Sequence, residues 1–236
     1  MVAFLILGFF LGIKHALEAD HVAAVASLAT RSSGLANTAR VAGAWGVGHA
    51  AAILLFGSVL LALDVAVPAG TASLLEGTVG VVLVLLGIDV LRRLRQRRVH
   101  VHVHEHDGVR HVHAHAHADE KAHDATHHQH AHVRGLLPRA ILVGGVHGLA
   151  GTAALTLLSL QALHSVTWGL VYLALFGLGS ILGMVLLSIA ISFPLRWASG
   201  RLNVLSTRLE AALGGITIAL GGWITVQSLI AGMAAS

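Results

Sequence analysis

The 236-residue sequence contains no cysteine, three methionines, three prolines, one tyrosine and only 11% charged residues. Without cysteine there is no disulfide, no thiolate metal site and no thiol catalysis. The shortage of charge excludes more. Soluble domains carry about 25% Asp, Glu, Lys and Arg, so a chain at 11% with a hydrophobic fraction of 56% and a mean hydropathy of +0.79 belongs in a bilayer. Also missing are a G-x4-G-K-[ST] phosphate loop and an H-E-x-x-H zinc motif. That leaves no nucleotide chemistry and no metallohydrolase signature, and the chain is read as a non-enzyme without a resident cofactor.

What is present is apolar length. A spanning helix needs roughly 20 predominantly apolar residues, and such runs lie at 2–29, 38–63, 70–91, 139–162, 166–193 and 208–232. The expectation is an all-α integral membrane protein with six transmembrane helices. The first run has no basic leader and is too long for a signal-peptide core, so it is expected to be retained. Arg31 and Arg40 follow the first run; Arg92, Arg93, Arg95, Arg97 and Arg98 follow the third; Arg196, Arg201 and Arg208 follow the fifth. By the positive-inside rule these three connections are cytoplasmic and both termini face outward, as in a multi-pass protein of the bacterial cytoplasmic (inner) membrane. The net charge of +4 is then a topology signal; the bilayer is a partner and nucleic acid is not.

The chain repeats itself. GIKHALEADHVAAVASL at 12–28 aligns with GGVHGLAGTAALTLLSL at 144–160, WGVGH at 45–49 with FGLGS at 176–180, and LEGTVG at 75–80 with LEAALG at 209–214. Three helices is an odd number, so the second copy crosses in the opposite sense. Two inverted three-helix repeats are expected, residues 1–91 and 138–236, joined by a basic, His-rich cytoplasmic loop at 92–137. Inverted repeats are a secondary-transporter architecture, with substrate held near the midplane where the halves meet.

Polar residues inside the runs are costly, about 2.5–3.5 kcal/mol for a charge near the bilayer centre, and they concentrate at HALEADH, 15–21. His15, Asp20 and His21 lie on the first run, His49 on the second and His147 on the fourth. Imidazole with carboxylate suits divalent first-row metals such as nickel, cobalt and zinc, whereas copper(I) favours thiolate and thioether donors. On a straight helix His21 would stand about 120° around from His15 and about 9 Å along, with Asp20 about 140° away on the other side. No straight helix offers all three to one ion. Either the helix is unwound, near Gly12 or between His15 and Asp20, or the residues form two successive stations. A main site shared by His15, His49 and His147 is favoured, with Asp20 and His21 completing it or forming the next station. Glu18, Thr152, Ser180 and Ser188 are candidates for the rest of the path. Lys14 and Glu18, four residues apart, are expected to neutralise each other; Asp89 is expected to pair with Arg92 or Arg93, and Glu76 and Glu210 to be solvated at helix ends.

HALEADH reads as H-x4-D-H, and VGHAAAILLFG around His49 places a Gly-His pair on the next helix. In both features the sequence resembles the nickel/cobalt transporter (NiCoT) family. The resemblance implies a permease for nickel or cobalt with metal recognition at His15, Asp20, His21 and His49. HGLAGTAAL at 147–155 and LGMVLLSIAIS at 182–192 look more like the six-helix branch associated with urease and nickel-enzyme accessory genes. Uptake is the expected direction, with an efflux permease or a metal-delivering accessory subunit as alternatives. Zinc carriers fit less well, since the importer motif His-Asn-x-x-Asp and a large cytoplasmic tail are both missing.

Thirteen of the eighteen histidines fall in residues 100–132: His100, His102, His104, His106, His111, His113, His115, His117, His123, His127, His128, His130 and His132. So biased a tract is expected to be a largely disordered cytoplasmic chelator of borderline divalent metals. A cytoplasmic metallochaperone is a candidate partner for it.

Overall fold

The computed structural model describes residues 2–30, 34–65, 67–96, 100–106, 109–115, 133–163, 165–201 and 203–234, and within these gives the backbone alone for 100–106, 109–115, 133–134, 152–163, 194–201 and 203–206. The elements in order are α1 (Val2–His15), α2 (Ala19–Ala29), α3 (Leu35–Leu63), α4 (Ala69–Gln96), β1 (His100–His106), β2 (Val109–His115), α5 (Val133–Leu163), α6 (Val166–Arg201) and α7 (Asn203–Ala234). Among the described residues, four helices are long and apolar enough to cross a bilayer: Leu35–Leu63, Ala69–Gln96, Val166–Phe193 and Thr207–Ala234. The α1–α2 pair makes a fifth crossing if its two pieces, bent by 57°, count as one span. The described apolar part of α5 is Gly135–Gly151.

The bundle is built inside out relative to a soluble protein. Leu7, Phe10, Leu55, Leu85, Leu142 and Phe193 are exposed, while His21, His49, His147, Ser180 and Thr217 are buried. Exposed apolar surface on this scale is expected of a lipid-facing or interface surface. The chain has the form of a multi-pass membrane protein.

Lipid tails are as apolar as leucine, so helices in a membrane associate through close packing, for which small residues are needed. The strongest packing here joins the N-terminal three runs to the C-terminal three: α4 on α7, α3 on α5 and α6, and α1 on α6. Glycines line each seam. A Cβ at Gly80 would lie 2.6 Å from the Gly221 carbonyl oxygen, and one at Gly87 would lie 2.7 Å from that of Gly214. Gly144 and Gly48 of the α3–α5 seam face the carbonyls of Trp45 and Ile141, and Gly12 and Gly179 of the α1–α6 seam face those of Phe176 and Phe9, all too closely for any side chain.

Not every glycine has this role. Gly215 and Gly222 on α7 have nothing within 4 Å of a built Cβ, so there glycine only weakens the helix, by about 0.5–1 kcal/mol relative to alanine. Gly215→Ala and Gly222→Ala should each raise the thermal unfolding temperature in detergent, whereas Gly80→Ala should lower it. The same sign at all three positions would contradict the packing described.

Within the tract expected to lack structure, β1 and β2 pair antiparallel, with His100 opposite His115, His102 opposite His113 and His104 opposite His111. The alternation of histidine and valine has the strand period of two. His117, His123, His127, His128, His130 and His132 lie outside the described residues.

Candidate metal centre

The break between α1 and α2 falls at Ala16–Glu18, the second of the two places the helical-wheel argument allowed. Alanine, leucine and glutamate are strong helix formers, so local propensity opposes it. The chain turns through Leu17 N–H donating to the Lys14 carbonyl and Glu18 N–H to that of His15, at 2.9 and 3.0 Å. Helix α2 then restarts from an extended Glu18. The backbone N–H of His21, in the first turn of α2, donates to Asp20 Oδ1 at 2.9 Å. An acidic residue in that turn also complements the positive end of the helix dipole.

The turn folds the motif back on itself. The His15 and His21 ring centroids come within 4.3 Å, and His49 of α3 stands 5.4 Å from His15 and 5.0 Å from His21. His147 of α5 stands 4.4 Å from His21. Asp20 joins two of these rings, with Oδ1 3.0 Å from His21 Nδ1 and Oδ2 2.8 Å from His147 Nε2. Four imidazoles and a carboxylate from α1, α2, α3 and α5 thus form one cluster.

Two groupings within it could hold a metal ion: His15, His21 and His49, and separately Asp20, His21 and His147, each with donor atoms within 4.8 Å of one another. His21, His49 and His147 are at most 2% exposed. His15 Nε2, His21 Nε2, His147 Nδ1 and both ring nitrogens of His49 have no hydrogen-bond partner among the described residues. An unsatisfied buried polar group costs about 1–3 kcal/mol, and here several occur within one cluster, as is expected of donors held ready for a ligand.

Aromatic residues pack against the cluster. Trp45, one helical turn before His49, packs at 5.5 Å from both His21 and His147, and Phe176 at 5.3 Å from His15. A cavity of about 570 Å³ adjoins the cluster, lined among others by Lys14, His15, Glu18, Asp20, His147 and Phe176, and reaching Glu76. Non-helical backbone at membrane depth is tolerated where it lines a cavity or is buried in protein, and the Ala16–Glu18 turn borders this one.

Comparison with known proteins finds the urease accessory protein UreH of Bacillus sp. (strain TB-90), 32% identical over 209 residues that cover 86% of this chain and 82% of that protein. The chain belongs to the UreH family. No family profile and no solved structure matches it.

In this UreH-family chain the structure brings together all five residues named as metal donors from the sequence, His15, Asp20, His21, His49 and His147, but divides them otherwise than expected: the trio of His15, His49 and His147 is not one of the converging groups, since His21 joins His15 and His49 while His147 goes with Asp20 and His21. The expected Lys14–Glu18 pair does not form; Glu18 instead meets His15, Oε2 to Nδ1, at 2.9 Å. The rule of four applies within a helix, and the helix ends between the two. Ser180 and Ser188 do not line the cavity. Ser180 Oγ donates to the Gly12 carbonyl at 3.3 Å and Ser188 Oγ to that of Val185 at 2.8 Å, so both satisfy backbone. The side chain of Thr152 lies outside the described residues. Arg93 pairs with Asp89 at 2.8 Å as expected and also reaches Thr30, the residue that caps the C-terminus of α2, Nη2 to Oγ1 at 3.2 Å. Sequence reasoning missed the aromatic wall, although Trp45 was visible within the WGVGH repeat.

Proposed function

We propose that the chain carries nickel or cobalt ions across the bacterial cytoplasmic membrane, in the direction of uptake, as a secondary transporter of the NiCoT type. One observation carries the reading: a cluster of four imidazoles, each with at least one buried ring nitrogen that has no partner among the described residues, and a carboxylate inside an apolar bundle, beside a cavity that reaches Glu18 and Glu76. Nitrogen-rich donor sets favour nickel, cobalt and zinc over magnesium or calcium, and kinship with a urease accessory protein together with the likeness of HALEADH to nickel/cobalt permeases favours nickel.

Six crossings in two inverted repeats are part of this reading. The glycine seams support it, because they exchange under the sequence alignment. Gly80 aligns with Gly214 and Gly87 with Gly221, and the contact of Gly80 with Gly221 has its counterpart in that of Gly87 with Gly214. Likewise Gly12 on the Phe176 carbonyl mirrors Gly144 on that of Trp45. With both termini outside, a label unable to cross the membrane should reach position 236 in intact cells and not position 115. Labelling at 115 from outside would reverse the topology.

The deciding experiment is uptake of labelled nickel and cobalt into proteoliposomes of fixed orientation, with and without a proton gradient. Flux above that of empty vesicles is expected. Tight binding without flux would favour the second reading, a membrane subunit that delivers metal to a cytoplasmic maturation system, and outward movement alone would favour efflux.

A further inference from the structure

HALEADH supplies two imidazoles and two carboxylates, and the structure pairs them one to one. Glu18 Oε2 lies 2.9 Å from His15 Nδ1, and Asp20 Oδ1 lies 3.0 Å from His21 Nδ1. An ionised carboxylate can only accept, so in each pair the ring donates its Nδ1–H. A neutral imidazole protonated on Nδ1 keeps its lone pair on Nε2. Those Nε2 atoms are buried and unpartnered among the described residues, as are both nitrogens of His49, and the three rings each bring one donor atom within 4.8 Å of the others. Space is kept open there: a Cβ at Gly151 would already lie 3.6 Å from His15 Nε2.

The grouping of Asp20, His21 and His147 is different, because its atoms already satisfy one another. Asp20 uses Oδ1 on His21 and Oδ2 on His147, and an ion bound there would have to displace both contacts.

We propose that the ion is held by His15 Nε2, His21 Nε2 and a ring nitrogen of His49, and that Glu18 and Asp20 are positioning residues that fix the tautomer and aim of these rings without ligating the metal. This rests on the reading of the chain as a metal carrier and deepens it by naming the donors. Carboxylate–imidazole–metal units of this kind strengthen the nitrogen donor. Three protein ligands leave further positions to water from the cavity, which suits a cargo that must later depart. The two carboxylates are not equivalent. Glu18 serves one ring, and glutamine in its place still offers one acceptor oxygen. Asp20 serves two rings, and asparagine has a single acceptor oxygen to share between them.

The test uses the full-length chain in detergent with the thirteen loop histidines changed to glutamine, so that nickel and cobalt report on the core. X-ray absorption at the nickel edge should count three imidazoles. Asp20→Asn should weaken nickel binding about 10- to 100-fold and still show three imidazoles once filled at excess nickel, while Glu18→Gln should stay within about 3-fold and Glu18→Ala should fall about 10-fold, at the lower end of that range. A count of two imidazoles, or loss of an imidazole in His147→Ala while His15→Ala and His49→Ala leave the spectrum unchanged, would place the ion on Asp20 and overturn the proposal. The count decides even if the alanine variants do not assemble. A parent chain that binds neither nickel nor cobalt would sink the transport reading as well, and is thereby told apart from failure of the ligand assignment alone.

Discussion

Replacing His49 by alanine should cut nickel and cobalt flux by on the order of 100-fold or more, beyond the loss typical of removing a supporting residue, while the protein still reaches the membrane and melts no lower. The two halves of this expectation come from one fact. His49 is fully buried with neither ring nitrogen partnered among the described residues. Its removal therefore relieves an unsatisfied polar group worth about 1–3 kcal/mol, offsetting the packing lost with the ring, and takes away a donor that only an ion would use. Loss of activity without loss of stability is the pattern expected where function and stability trade off. Flux in proteoliposomes and thermal unfolding of the same preparation provide the check. Wild-type flux in His49→Ala, or a protein too unstable to insert, would show that the ring serves packing. Protons compete with metal for imidazole nitrogen, so binding by the unaltered protein should also weaken on acidification.

Valine at Gly144 should prevent assembly of the bundle, at a cost above about 3 kcal/mol, the upper end of ordinary overpacking. A Cβ there would press on the Trp45 carbonyl oxygen and stand 2.8 Å from both its carbonyl carbon and its Cδ1. Backbone cannot step aside as a flexible side chain can. The neighbouring position is the control: a Cβ at Gly145 would meet only the Gly48 carbonyl oxygen, at 3.9 Å, so Gly145→Val should remain monodisperse in detergent. Size-exclusion profiles and resistance to trypsin separate the two. Equal behaviour of the pair would mean that α3 and α5 are not in backbone contact.

Much of this was legible in the sequence because lipid imposes a strong pattern. Apolar runs mark crossings, and histidines at matching depth in HALEADH, WGVGH and HGLAG are conspicuous where polar groups are costly. Helical-wheel geometry required that His15, Asp20 and His21 could not share an ion on a straight helix. It could not place the break, since Ala16-Leu17-Glu18 carries no helix breaker. The partner of Glu18 was misjudged for the same reason. Trp45 and Phe176 read as ordinary apolar residues until folding set them against imidazoles. A flexible tract was expected at 100–132 from composition, but the pairing of β1 with β2 follows the strand-period alternation of its first half, a pattern that composition alone does not register.

The glycine seams have a mechanical corollary. Where α4 meets α7, main chain comes close to main chain at Gly80–Gly221 and Gly87–Gly214, and the side chains of Thr225, Ile218 and Leu91 fill the space beside them. Such a joint has no slack, and the two helices must travel as a single strut. The turn at Ala16–Glu18 lies elsewhere, beside open volume and held by side chains that can let go, so the compliance of the molecule sits at the motif that handles the ion.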